Sequence, residues 1–113
     1  MNVTKLAVGW LRAYWDEDDI TYYLEHDEDG WILRQVELSG PDRTPTVAAS
    51  LAEWPDADRD GLAAVQAYDA KYGSLGDQPL DIDQPFEFPH AKIDRGEFED
   101  VWVHARNHLE RSR

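Results

Sequence analysis

Ile20-Thr21-Tyr22-Tyr23-Leu24-Glu25-His26-Asp27-Glu28-Asp29-Gly30-Trp31-Ile32-Leu33-Arg34-Gln35-Val36-Glu37-Leu38 decides the fold. Two runs rich in aromatic and β-branched residues, Ile20–Asp27 and Trp31–Leu38, flank an Asp-Gly turn signal, which is the signature of a β-hairpin. A three-residue loop, Glu28 to Gly30, puts Gly30 where left-handed backbone is needed. That loop predicts the pairs Ile20–Leu38, Tyr22–Val36, Leu24–Arg34 and His26–Ile32. A two-residue turn would set Tyr22 against Glu37 and Leu24 against Gln35, turning the apolar set to the other face. The three-residue loop is therefore preferred. The opposite face then carries Thr21, Tyr23, Glu25, Trp31, Leu33, Gln35 and Glu37. Either another segment covers it, such as a helix over residues 60–72, or Tyr23 and Trp31 are exposed anchors among carboxylates, as interface hot spots are.

Upstream, residues 4–15 read as a strand whose alternation changes phase beside Gly9, which suggests a bulge or break. Asp16-Glu17-Asp18-Asp19 follows as an acidic loop, since four like charges in a row disfavour regular structure. Downstream, Gly40–Arg43 reads as a turn and Thr46–Ala49 as a short strand. A helix is expected from Asp58 or Asp60 to Tyr72, ended by Gly73. Residues 73–93, broken by Gly73, Gly76, Pro79, Pro85 and Pro89, read as an extended connector pinned by Leu80, Ile82, Phe86 and Phe88. Alternation over Leu80–Asp83 allows a short edge strand.

The last helix has the fullest set of signals. Asp94 is an N-cap, Glu97 stands at N3, and Ile93 can staple against Phe98. Phe98, Val101, Trp102, Ala105 and Leu109 form one helical stripe, with Glu99, Arg106 and Glu110 expected away from it. The fold class is thus α+β in a single domain over residues 1–113. An antiparallel sheet of three to five strands carries the C-terminal helix on one face, with a second helix in the middle of the chain.

The chain has 24 Asp+Glu against 11 Lys+Arg over 113 residues, a formal net charge of −13, together with five Trp and five Tyr. Acid-rich disordered chains are poor in aromatics, so this one is expected to fold and to present a negative surface. A pI near 4.4 argues against direct binding to nucleic acid or anionic membranes and favours a basic protein partner. Charge that only confers solubility, or adaptation to salt, gives the same composition. Cysteine is absent, which excludes disulfides, thiolate metal sites and cysteine nucleophiles. The N-terminus lacks a signal-peptide pattern and no run is long enough to span a membrane, so a soluble, cytoplasmic protein is expected.

Chemical motifs are sparse. Asp56-Ala57-Asp58-Arg59-Asp60-Gly61 opens like a calcium loop, but the twelfth position is Ala67 where a bidentate Glu belongs. Helix-start acids explain it equally. His104 and His108, with Asp100 one turn earlier, share one edge of the last helix at a metal-compatible spacing. His26 and His90 stand alone. No nucleophile elbow, phosphate loop or dinucleotide fingerprint is present. No catalytic residue, metal ligand or cofactor is therefore assigned.

Trp10-Leu11-Arg12-Ala13-Tyr14-Trp15, the acidic loop, the Tyr22–Glu37 hairpin and Ile93-Asp94-Arg95-Gly96-Glu97-Phe98-Glu99-Asp100-Val101-Trp102 together resemble a small bacterial domain family of unknown function. The resemblance spans about half the chain. Its members share a first strand ending in Trp, an acidic loop, an Asp-Gly hairpin and a closing helix with Glu-Phe-x-x-x-Trp. Some domains of this kind lie beside polymorphic toxin genes and are regarded as candidate immunity proteins. No functional residues come with the resemblance.

The leading expectation is a non-enzymatic acidic binding protein of the immunity or inhibitor type, neutralising a basic partner such as a nuclease toxin. Asp16, Glu17, Asp18, Asp19, Glu25 and Glu37 would supply charge, and Tyr23 and Trp31 would be the anchors. A small-molecule-binding or enzymatic domain is the alternative, because five tryptophans can line a pocket. A DNA mimic ranks last, because its acids should be spaced along an elongated surface.

Overall fold

In a computed structural model, which describes residues 6–112, the elements are β1 (Gly9–Trp15), β2 (Ile20–His26), β3 (Ile32–Ser39), β4 (Thr44–Ser50), a 3₁₀ turn (Leu51–Glu53), α1 (Ala57–Asp60), α2 (Leu62–Tyr72), β5 (His90–Ile93) and α3 (Arg95–Ser112). The five strands form one antiparallel sheet in the order β4-β3-β2-β1-β5. The first four strands meander, and β5 returns to the free edge of β1. This is the expected α+β architecture, with the C-terminal helix on one face and a helix in mid-chain.

Strand β1 begins at Gly9, later than the expected start; positions 4 and 5 lie outside the described residues, and Leu6 and Val8 are exposed. A Cβ at Gly9 would run into the His26 imidazole, so the close approach of that ring requires the glycine.

The hairpin loop is the expected one, but the register beyond it is not. Asp27 and Trp31 pair across Glu28-Asp29-Gly30, with Gly30 at φ 88, and His26 faces Ile32. A bulge then follows. Glu25 faces Arg34, Leu24 faces Gln35, Tyr23 faces Val36 and Tyr22 faces Glu37. Leu33 is the extra residue, and it shifts the rest of the hairpin into the pairing that alternation had disfavoured. The reason is that both faces of the sheet are covered. Alternation chooses a register only when one face is wet.

Helix α3 covers the first face. Asp94 Oδ1 accepts the Glu97 N–H at 2.8 Å, the expected cap. Phe98, Ala105 and Leu109 pack with Tyr23, Val36, Leu38 and Ala48, and Trp10, Ile93, Val101 and Trp102 close the margins. Each large side chain buried here contributes about 1.5–3 kcal/mol. The strap formed by residues 73–89 covers the second face. Gly76 donates its N–H to Gln35 Oε1 at 2.9 Å and Leu80 donates to the Gly30 carbonyl at 2.8 Å. Phe88 packs against Trp15 and Tyr22 with ring centroids 6.4 and 6.3 Å apart.

Two expectations for the middle of the chain are corrected. The helix expected to run unbroken to Tyr72 divides at Gly61, whose φ of 90 no helix accommodates. Leu80–Asp83 forms no strand; the fifth strand is His90–Ile93, four residues too short to stand out by periodicity. Among the described residues no helix is long and apolar enough to cross a membrane.

Candidate functional site

Two arginines organise the α3 side of the molecule, and aromatic rings hold both. Arg34 lies over Phe98 and Trp102 at 4.9 and 5.0 Å from the ring centroids. It donates from Nε and Nη2 to the two oxygens of Glu25, each at 2.7 Å, and pairs with Glu99 as well. Glu25 also accepts the Trp10 indole N–H at 2.9 Å. Burial alone would push the Glu25 carboxyl up, but the hydrogen bonds from Arg34 and Trp10 outweigh it and hold the group below its ordinary value.

Arg106 lies over Trp102 at 4.5 Å and over Tyr72 at 3.7 Å. It donates to the Ala48 carbonyl at 2.8 Å and to Tyr68 Oη at 3.0 Å, and forms an ion pair with Glu53. Burial, followed by donation to Glu53, pushes the Tyr68 hydroxyl up to about 12. Tyr68 in turn meets Tyr72 at 5.1 Å and Trp54 edge-on at 5.2 Å. A continuous run of rings and guanidinium groups thus extends from Phe98 on α3 to Trp54. It holds Trp102 inside the fold, and Trp10 is tied to it through Glu25. Glu99 and Arg106, expected away from the apolar stripe, belong to it because an arginine stem and plane can cover a ring while the charge stays paired.

At the end of this run Trp54 opens into a surface cleft of about 310 Å³, lined by Trp31, Ile32, Leu51, Trp54, Leu75, Gly76 and Asp77. Trp31 and Leu51 are large apolar side chains left 41% and 47% exposed there. Trp31 is held by the turn before it. Asp27 Oδ1 accepts N–H groups of Asp29 at 2.9 Å and Trp31 at 3.0 Å, and the Asp27 N–H bonds to the Trp31 carbonyl at 3.0 Å. The bond from Leu80 to Gly30 brings the strap to this turn, next in sequence to exposed Asp29 and Asp81, and exposed Asp77 lines the cleft itself. No Lys, Arg or His lines the cleft.

The residues expected to form one binding face are dispersed. Tyr23 is 6% exposed and sits in the core under α3, so it is not a surface anchor. Glu25 is equally buried, as the partner of Arg34. Both corrections follow from the Leu33 bulge, which turned these side chains toward the helix. Glu37 lies on the opposite face, half-buried and accepting from Gln35 Nε2 at 2.8 Å; burial pushes its carboxyl up. Asp16, Glu17 and Asp18 are exposed in the β1–β2 turn. Asp19 has a structural part in it: at φ 52 it accepts the Tyr14 hydroxyl at 2.9 Å and, by its carbonyl, the Gly40 N–H at 2.9 Å. Trp31 is exposed, as expected of an anchor. The acidic turn and Trp31 lie at opposite ends of β2, roughly 20 Å apart at about 3.3 Å per residue.

Sequence reading counts Trp54 among the five tryptophans able to line a pocket, but it missed Leu51, Leu75 and Asp77. The available signal was the Gly- and Asp-rich strap, whose carboxylates could be seen but not placed. The calcium-like run is occupied by local bonds: Asp56 caps α1 through the N–H groups of Asp58 and Arg59, and Asp60 accepts the Asp56 N–H at 2.9 Å. Among the described residues no three His, Asp or Glu side chains converge as metal ligands, the His104–His108 edge included. Two further clefts are smaller. One of about 220 Å³ lies under the strap between Tyr22, Leu24 and Phe86, and one of about 230 Å³ at the β1–β5 edge is lined by Arg12, Tyr14, Arg43 and His90 among others. No family model, curated protein or solved structure matches this chain significantly.

Proposed function

We propose that this chain is a non-enzymatic acidic binding protein that acts in the cytoplasm and docks a basic protein partner at the Trp31 cleft. An immunity or inhibitor protein covering a nuclease toxin is the form of that role the sequence resemblance suggests. The observation that carries the reading is the cleft itself: an exposed tryptophan and leucine beside the carboxylate of Asp77, with no cation in the lining. Aromatic anchors with a charged rim are how specific interfaces concentrate binding energy, and complementary fields speed encounter and reject wrong partners. Arg34 and Arg106 pair with carboxylates within the fold.

The small-molecule alternative has less support. A cleft of about 310 Å³ is at the lower end of ligand pockets, and Asp77 is its one charged lining group. The test is titration calorimetry against the basic product of a neighbouring gene at low and high salt. Binding that weakens steeply with salt, and at least tenfold in Trp31→Ala, supports the reading. Salt-independent binding, binding indifferent to Trp31→Ala, or no binding by any basic neighbour overturns it.

A further inference from the structure

The fold uses one recognition chemistry twice. Arg34 lies over Phe98 and Trp102 and pairs with Glu25 and Glu99. Arg106 lies over Trp102 and Tyr72 and pairs with Glu53. In both, a planar guanidinium covers aromatic rings while its edge N–H groups reach carboxylate oxygens. Trp54 is the last ring of that run, joined to it through Tyr68. Beyond Trp54 lies the cleft, where the same ingredients recur: the indole of Trp31, the indole of Trp54 and the carboxylate of Asp77. The one component missing from the lining is the cation.

We infer that the Trp31–Trp54–Asp77 cleft receives an arginine side chain from the partner, its guanidinium against the indoles and its edge toward Asp77. This rests on the reading that a basic protein docks at this end of the sheet, and it specifies the contact. Arginine fits better than lysine. A guanidinium is planar, weakly hydrated and able to stack while donating to a carboxylate, whereas an ammonium is a compact, strongly hydrated point charge. The aliphatic stem would lie along Leu51 and Leu75, the apolar part of the lining.

The test uses the full chain and three otherwise identical short peptides with arginine, lysine or citrulline at the central position. Binding is read from the indole N–H resonances of Trp31 and Trp54. The arginine peptide is expected to shift both, lysine to bind several-fold more weakly, and citrulline, which keeps the shape without the charge, weakest. Asp77→Asn, at an exposed position, should weaken the arginine peptide about three-fold, as for a partly exposed charge pair. Trp31→Ala should weaken it more. Equal shifts from arginine and citrulline, shifts confined to the Asp16–Asp19 turn, or affinity indifferent to both substitutions would overturn the inference. The two readings fail separately. A basic partner protein that needs Trp31, with no arginine preference among peptides, removes only the arginine contact. An arginine preference at the cleft, with a partner that ignores Trp31→Ala, removes only the docking reading.

Discussion

Replacing Arg34 by alanine should damage the fold more than most single substitutions outside the apolar core. The guanidinium makes a two-oxygen contact with Glu25, pairs with Glu99 and covers two rings. Its removal leaves the Glu25 carboxylate, 6% exposed, with the Trp10 indole as its remaining side-chain hydrogen-bond donor among the described residues and Arg95 as a weaker, more distant charge. Breaking a buried pair in this way costs about 3–5 kcal/mol. Domains of this size are stable by only about 5–15 kcal/mol. At roughly 4 °C per kcal/mol, the melting temperature should fall by about 12–20 °C.

The pH dependence gives a second reading of the same substitution. In the native protein Glu25 is held below its ordinary value of 4.5, so its contribution is present above that pH and is lost as pH falls through the lower folded value. In Arg34→Ala the carboxyl is buried without its hydrogen-bonded cation and its pKa moves up, so acid relieves the penalty. The gap between the two proteins should therefore narrow below about pH 4.5. Urea unfolding followed by far-ultraviolet circular dichroism measures both. A loss under about 1 kcal/mol at neutral pH, or a gap independent of pH, would refute the assignment of Arg34 as the buried partner of Glu25.

Glu37→Gln should stabilise the protein at neutral pH. Burial holds the Glu37 carboxyl above its ordinary value, so its contribution is favourable below 4.5 and is lost as pH rises through the raised folded value; urea midpoints across pH should show the variant's advantage vanish in acid. Gly30→Ala should cost about 1–3 kcal/mol, because φ is 88 and a Cβ there runs into the Leu80 carbonyl. The strap should loosen with it, seen as faster amide exchange at Leu80. Phe98→Ala, at a fully buried ring, should cost about 3–5 kcal/mol in the same unfolding assay.

The elements whose signals are local were legible in the sequence. The cap at Asp94 and the Phe98–Leu109 stripe specified α3, and Gly30 specified the hairpin loop. The register was not legible, because the Leu33 bulge is selected by packing on two faces at once, and alternation carries no information when neither face is wet. That single displacement moved Tyr23 and Glu25 from the expected surface into the interior. Trp31 kept its expected exposure because its position depends on the loop, upstream of the bulge. Its neighbours Trp54, Leu51 and Asp77 come from distant segments, brought together by the ring-and-arginine run and by the Leu80–Gly30 bond. No spacing in the chain encodes such contacts.

The most direct measurement of the central claim is amide hydrogen exchange of the chain alone and with the basic neighbouring protein. Docking at the cleft predicts new protection over Glu28–Ile32, Leu51–Trp54 and Leu75–Asp77, lost in Trp31→Ala. Protection confined to the Asp16–Asp19 turn or to the β5 edge, with the cleft unchanged, would contradict it.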